Sequence, residues 1–398
     1  MPDPLRSTVM STDRVDQRLV IRQVPFHRST LGVEEIAAVS QALEAGHLIG
    51  NGPLCHRAET ALRQQFGIPY VLLTTSGTSA MELALLTLGI GPGMEVLLPS
   101  WTFVSCATAI IRCGARPVFV DVDPDTLMLN PDQLDRAITK RSRAILCVHY
   151  GGFPCDMHRI MAVAHAHRLL VIEDAAQALG SFWRGRPLGT IGDVGCLSFH
   201  GTKNITCGEG GAFLTNNSTM AERALLMREK GTNREAFLRG EVNRYTWVER
   251  GGSFVLSDLL AAILLVQLGR LAATQRARQT IGLRYLDGLQ SLAANGRAQL
   301  PKVDDPSSVN WHTMYLLVSS GSQRDRVLRA LRQAGIEACF HFIPLHSSPY
   351  GRRHYGYRPE DLPVTEDVAR RLIRLPMYPG LAQDDQDYVI ATLHTLLS

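Results

Sequence analysis

Three short stretches of this chain combine residue types that could do chemistry together. The first is Thr75-Ser76-Gly77-Thr78-Ser79, small residues that lead straight into a helical pattern. Backbone N–H groups can approach an anion there, and a helix N-terminus adds its dipole, so the stretch can cradle a phosphate; it is also an ordinary turn and helix cap. The second is Glu173-Asp174-Ala175-Ala176-Gln177, where a carboxylate at the end of an apolar run could hold a cationic nitrogen or cap the next segment. The third is His200-Gly201-Thr202-Lys203-Asn204, followed by the glycine-rich return Gly208-Glu209-Gly210-Gly211. An enclosed lysine has its ammonium form disfavoured, which frees the amine for Schiff-base chemistry, whereas a lysine in a solvated turn stays a charge. Neither a Walker loop nor a G-x-G-x-x-G fingerprint is present.

The elements around these stretches predict where they meet. Apolar runs at Tyr70–Thr74, 95–98, 117–121, 144–149, 169–173, 195–199 and Gly211–Thr215 alternate with helical patterns at 79–88, 103–112, 131–138 and Met157–His167. The runs lack polar alternation, the signature of strands buried on both faces, so a mainly parallel α/β sheet is expected. In such a sheet ligands sit beyond the carboxyl ends of the strands, which is where all three stretches fall. Helices are also expected over 33–45, with Gly46 past its end, and over 54–66, stopping at Gly67. A helix-rich stretch at 257–294 leads to an α+β remainder, with runs at 314–319 and 338–343 and helices at 324–333, 366–373 and 384–397. The expected organisation is a polar N-terminal extension over 1–23, a large domain over 24–255 with helix 33–45 packing on the smaller one, and a small domain over 256–398.

Composition narrows the class. The chain has 398 residues, 45% apolar and 20% charged, with a net charge of +4. That supports a large buried core and leaves no electrostatic footprint for nucleic acid. No apolar window approaches the ~20 residues of a membrane span, and the N-terminus lacks a signal-peptide pattern. The 8 cysteines form no C-x-x-C pair and read as reduced, buried thiols of a cytoplasmic protein. His165 and His167 have no accompanying ligand spacing, so no metal is expected.

An anion cradle, a strand-end carboxylate and a strand-end lysine, in that order in one α/β domain, are what pyridoxal phosphate requires: a phosphate site, a partner for the pyridinium nitrogen and an amine for the aldehyde. The sequence resembles the DegT/DnrJ/EryC1/StrS family of fold-type I, pyridoxal-phosphate-dependent sugar aminotransferases, and within it the dTDP-4-amino-4,6-dideoxygalactose transaminase group. The resemblance runs from Val24 to the C-terminus, through TTSGTSAMELALL (74–86), LPSWTFVSCATA (98–109), FVDVDPDTL (119–127), VIEDAAQALGS (171–181), SFHGTKNITCGEGG (198–211), REKGTNREAFLRGEVNRYTW (228–247) and CFHFIPLHSSPYG (339–351). It implies that Lys203 is the Schiff-base lysine, Asp174 the partner of the ring nitrogen, and Gln177 the partner of the ring hydroxyl. Ser198, Gly77 and Thr78 are implied at the phosphate and Phe103 against the cofactor face, although a core Phe would look the same in sequence. His341, His346, Asn233 and Arg234 are implied as substrate residues. Many family members carry an Asn, supplied by the neighbouring subunit, in the segment matching Gly252–Leu256; here Val255 is found, which puts that trans phosphate contact in doubt.

The implied reaction moves an amino group from L-glutamate to C4 of a nucleotide-linked 4-keto-6-deoxyhexose, dTDP-4-keto-6-deoxy-D-glucose being the first candidate, in a homodimer with shared active sites. Amination at C3 within the same family and a cofactor-binding sensor without transaminase activity are the alternatives. A nicotinamide-linked dehydrogenase lacks its glycine fingerprint.

Overall fold

The computed structural model describes residues 22–46 and 48–398. The extension expected over 1–23 therefore lies, up to residue 21, outside the described residues. The strands in chain order are β1 (Tyr70–Thr74), β2 (Glu95–Pro99), β3 (Arg116–Val120), β4 (Ser142–Val148), β5 (Leu170–Asp174), β6 (Phe182–Trp183), β7 (Arg186–Pro187), β8 (Val194–Ser198), β9 (Gly211–Thr215), β10 (Met314–Leu317) and β11 (Leu372–Leu375). Seven of them build one sheet in the order β1-β9-β8-β5-β4-β2-β3. Only β9 runs against its neighbours; the other six point one way.

Both faces of this sheet are covered, which explains the unbroken apolar runs. In β1, Val71 and Leu73 enter one apolar cluster and Leu72 the other; in β4, Ile145 and Cys147 are divided in the same way from Ala144, Leu146 and Val148. One face carries the helices Gly77–Thr87, Ser105–Arg112 and Ser218–Arg228, and its cluster draws on Leu83, Ile110 and Ala224. The other carries Pro53–Phe66, Met157–His167 and Asp258–Gly269. The apolar cluster on that second face continues without a break into C-terminal residues such as Leu316, Ile373 and Val389. The helix Val33–Glu44, capped where Glu35 Oε2 accepts from Gly32 N at 2.7 Å, packs against Asp258–Gly269.

The expected boundaries shift in informative places. The helix expected from Phe103 begins at Ser105, so Thr102, Phe103 and Val104 stay in the loop after β2. The helical pattern at 131–138 divides into a single 3-10 turn at Pro131–Gln133 and a four-residue helix at Leu134–Ala137. The stretch 257–294 is two helices, Asp258–Gly269 and Leu271–Ala294, bent by 58°. Among the described residues no single helix is long and apolar enough to cross a membrane. β10 pairs with β11, which interrupts the helix expected at 366–373. The run at 338–343 is irregular instead, joined to β11 by one pair of backbone bonds between Cys339 and Arg374. Freed from a ladder, that segment can turn His341 and Phe342 toward the sheet.

Candidate active site

The parallel direction of β1, β5 and β8 puts their carboxyl ends on one side of the sheet, and a cavity of about 700 Å³ opens there. Its wall includes Ser76, Gly77 and Thr78 after β1, Asp174 and Gln177 at the end of β5, and Ser198 and Lys203 at and beyond the end of β8. The three stretches singled out in the sequence thus converge on one cavity.

The anion turn is built on close backbone approaches. Ser76 caps the helix Gly77–Thr87, its Oγ accepting from Ser79 N at 3.0 Å. Thr78 Oγ1 donates to Ser105 Oγ at 2.7 Å, tying the turn to the helix after β2. Gly211, the first residue of β9, pairs with both Thr74 and Ser198, so it sits between the turn and the end of β8. A Cβ on Gly211 would lie 2.4 Å from the Ser76 carbonyl carbon, and one on Gly77 would lie 2.9 Å from Ser198 Cβ. Real Cβ atoms essentially never approach another heavy atom that closely, whether the Ser76 backbone or the Ser198 side chain, so both positions need glycine for the turn to sit this near β8 and β9. Gly211→Ala is expected to push the 75–78 turn outward, weakening pyridoxal phosphate binding at least ~10-fold through lost N–H contacts. Equilibrium titration of the apo-protein measures this, and far-ultraviolet circular dichroism checks that the fold survives.

Asp174 is held by two donors: Ala176 N to Oδ1 at 3.0 Å and the Cys106 thiol to Oδ2 at 2.9 Å. Burial and then the Asp174 charge push the Cys106 thiol well above its usual pKa, so it remains a donor. Lys203 is fixed at its backbone, where its N–H donates to the His200 carbonyl at 2.9 Å. Its side-chain amine lines the cavity with no hydrogen-bond partner among the described residues. Burial holds its pKa below 10.5; Asp174 opposes that shift and Arg374 adds to it. The lysine is therefore poised toward the neutral amine.

Beneath Asp174 a buried polar brace fixes the strand end. Glu173 accepts from His149 Nε2 at 2.9 Å and from the N–H groups of Gly189, Ile191 and Gly192. Burial disfavours its charge, but His149 and these amides outweigh it and hold the carboxyl below its usual range. His149 Nδ1 accepts from Cys155 N at 3.2 Å, which leaves its proton on Nε2 for Glu173.

The other expected residues are placed as follows. Gln177 lines the cavity, and its Oε1 accepts from Gly151 N at 2.6 Å, so its amide NH2 is the end left for a ring oxygen. Phe103 is 58% exposed, at the cavity edge near Phe342, and is not a core residue. His341 lines the cavity, stacks on Phe342 at 3.6 Å and bonds Tyr150 Oη at 2.6 Å through Nδ1; burial, with Arg374 and Lys203 adding, drives its pKa down to about 2. His346 is a correction: it does not reach the cavity wall. It is fully buried, with Nδ1 2.7 Å from Ser100 Oγ and Nε2 facing Glu366 at 3.6 Å, and clamps the 339–351 segment to the end of β2. Asn233 and Arg234 also lie off this wall, at the base of an arm where Asn233 bonds Arg244 O and Thr246 N. Val255 packs against Gly50 of its own chain, and Phe254 O accepts from Thr75 N at 2.9 Å beside the anion turn.

Among the cavity residues from the C-terminal part, Arg278, Arg374 and His312 had no local signal. Arg278, in the helix Leu271–Ala294, is buried, and burial with Arg374 pushes its pKa down to about 9 while the Trp311, His312 and Met377 carbonyls accept its protons. Arg374 on β11 donates from Nε to Thr313 Oγ1 at 3.0 Å. His312 stands just before β10.

A turn whose close approaches admit no Cβ at Gly77 or Gly211, a carboxylate, and an amine without a hydrogen-bond partner among the described residues lie on one cavity and fit pyridoxal phosphate. Comparison with known proteins agrees. Residues 29–394 match the model of the DegT/DnrJ/EryC1/StrS aminotransferase family. The chain is 36% identical over 381 residues to the spore coat polysaccharide biosynthesis protein SpsC of Bacillus subtilis (strain 168), covering 94% of this chain and 97% of that one. A DegT DnrJ EryC1 StrS aminotransferase from Brucella abortus has a similar structure, with 32% identity, a TM-score of 0.83 and coverage of 92% of this chain and 95% of that one. So has the pyridoxal-phosphate form of Spr1654 from Streptococcus pneumoniae, described as a sugar aminotransferase, with 28% identity, a TM-score of 0.86 and coverage of 94% and 98%.

Proposed function

Because the chain belongs to the DegT/DnrJ/EryC1/StrS aminotransferase family, whose cofactor is pyridoxal phosphate, we propose that it aminates a nucleotide-linked 4-keto-6-deoxyhexose at C4 with L-glutamate as donor. dTDP-4-keto-6-deoxy-D-glucose is the first substrate to try. The observation that carries the reading is the Lys203 amine, without a hydrogen-bond partner among the described residues, on the same cavity as Asp174 and the Gly77 turn.

Bound there, pyridoxal phosphate supplies an aldehyde that takes up the amino group and a ring that accepts the electron pair released at carbon. The chain's own residues do the rest. Gly77, Thr78 and Ser198 hold the phosphate end. The Asp174 carboxylate holds a proton on the ring nitrogen, and its two donors keep it oriented. Lys203 Nζ, with its depressed pKa, takes a proton from the donor's Cα and returns one at the sugar's C4. Arg374, a fixed cation on the wall, suits a glutamate carboxylate, and Phe103 with Phe342 gives an apolar face that a nucleotide-linked sugar can cover.

The test is incubation with glutamate and a panel of dTDP- and UDP-linked keto sugars, with the amino sugar identified by mass and NMR. No conversion of the cofactor to its amine form by glutamate would leave only the sensor reading. An amine found at C3 would overturn C4.

The homodimer belongs to the same proposal. The arm 232–248 exposes Phe237, Leu238, Tyr245 and Trp247, the last at 77%. A second copy is a fitting cover for that surface. If the arm enters a neighbour's cavity, Asn233 and Arg234 meet substrate there. Dilution below the dimer dissociation constant is then expected to abolish turnover; an active monomer by sedimentation would contradict it.

A further inference from the structure

We propose that His312 is the hydrogen-bond acceptor for a substrate hydroxyl, and that it serves the sugar half of the reaction and not the amino-acid half. The inference rests on the sugar-aminotransferase reading above. Its foundation is a chain of polar contacts that fixes which imidazole nitrogen carries the proton. Asn310 Nδ2 donates to the carbonyls of Gln177 and Leu179 at 2.9 and 3.0 Å, and Asn310 Oδ1 accepts from His312 N at 3.0 Å. The Asn310 carbonyl in turn accepts from Asn204 Nδ2 at 3.2 Å. That bond settles the orientation of the Asn204 amide, so its Oδ1 is the atom facing His312 Nδ1, at 3.0 Å. An amide oxygen only accepts, so Nδ1 carries the proton and Nε2 of the neutral ring is a bare lone pair.

Nε2 has no partner among the described residues and is not sealed in; the ring lines the cavity beside Lys203, Thr313 and Arg374. A second proton is disfavoured from every side. The ring is buried, and the charged or titratable groups facing it are Lys203 after β8, Arg278 from the long helix, Arg374 from β11 and His341 from the 339–351 segment. Nε2 therefore stays an acceptor across the neutral range.

The rest of that wall is rich in donors: the Lys203 amine, the Arg374 guanidinium, and the Thr313 hydroxyl, whose oxygen already accepts from Arg374 Nε. Carboxylate, carbonyl and phosphate oxygens of any substrate would be met by those donors. A bare imidazole nitrogen has a use only if the substrate brings a donor. The glutamate carboxylates offer none, and its amino group is the one transferred. The hydroxyls of a hexose do offer donors, so His312 separates the two half-reactions.

The experiment compares wild type, His312→Phe and His312→Gln as holoenzymes, with the two half-reactions followed separately by the cofactor spectrum. Glutamate is one probe and dTDP-4-keto-6-deoxy-D-glucose, within the panel above, the other. His312→Phe is expected to lower kcat/KM of the sugar half by roughly 10- to 100-fold, with the glutamate half within about 3-fold of wild type. His312→Gln, whose amide oxygen can accept, is expected to recover part of the loss. Equal loss in both halves, or none in either, would overturn the inference. A wild type that is aminated by glutamate but converts no sugar of the panel would overturn the sugar reading and this inference with it. Independently of any substrate, NMR of the nitrogen-15-histidine holoenzyme is expected to show His312 with one proton, on Nδ1. A proton on Nε2 would refute the assignment.

Discussion

Lys203→Ala is expected to yield a folded protein whose turnover falls by about 10³-fold or more and which holds pyridoxal phosphate without covalent attachment. The loss is this large because one atom serves twice. Lys203 Nζ is the amine the aldehyde needs, and it is also a base that lines the cavity without a hydrogen-bond partner among the described residues, within reach of the Asp174 charge. Borohydride reduction of the wild type should leave the cofactor's mass on the peptide containing Lys203, and reduction of the variant should not. Turnover retained in the variant would remove Lys203 from the mechanism.

The same substitution has a stability signature with a definite sign. The folded pKa of Lys203 lies below 10.5, with burial as the first cause, so the apo-fold binds this proton less tightly than the unfolded chain does. That destabilises the wild-type apo-protein at neutral pH, and the penalty shrinks as pH rises from the depressed value to 10.5. Lys203→Met, which keeps most of the side-chain volume, should therefore melt above the wild-type apo-protein near neutrality. The gap should close toward pH 10.5. A gap that widened with pH would mean that the amine is charged and satisfied in the fold.

How much of this was legible in the sequence follows from how each residue reaches the cavity. Gly77, Asp174, Ser198 and Lys203 could be read because a parallel sheet delivers the carboxyl ends of its strands to one side, so local position after an apolar run fixes spatial position. Nothing comparable marks Arg278, Arg374 or His312. Arg278 sits in Gln275-Arg276-Ala277-Arg278-Gln279, a polar helical stretch like any solvated face, and only the packing of that helix on Trp311 and Met377 buries it. Arg374 was hidden because the helical period from Pro363 runs into Leu372-Ile373 without a glycine or proline to break it. His341 and His346 show the limit most plainly. Five residues apart in one loop, they read alike, yet one faces the cavity and the other is sealed against Ser100 by the path the backbone takes past Cys339.

Asp174→Asn is the second large effect expected. An amide is the same size and still reaches the ring nitrogen, but it cannot balance a proton there, so the ring loses its pull on the electron pair. A preorganised charge at the centre of a reaction contributes about 10²- to 10³-fold, and both half-reactions should slow by that factor, since both use the same ring. Binding should change less, because Gly77, Thr78 and Ser198 still hold the phosphate end. The surroundings add a structural cost. Ala176 N and the Cys106 thiol both donate to this side chain, so an Asn must turn its NH2 toward one of them. Asp174→Asn combined with Cys106→Ala removes that clash without restoring the charge. If the single and double variants are equally slow, the missing charge is the cause. If the double variant recovers most of the rate, the clash of the new amide with the Cys106 thiol was the cause and the proton on the ring nitrogen was not.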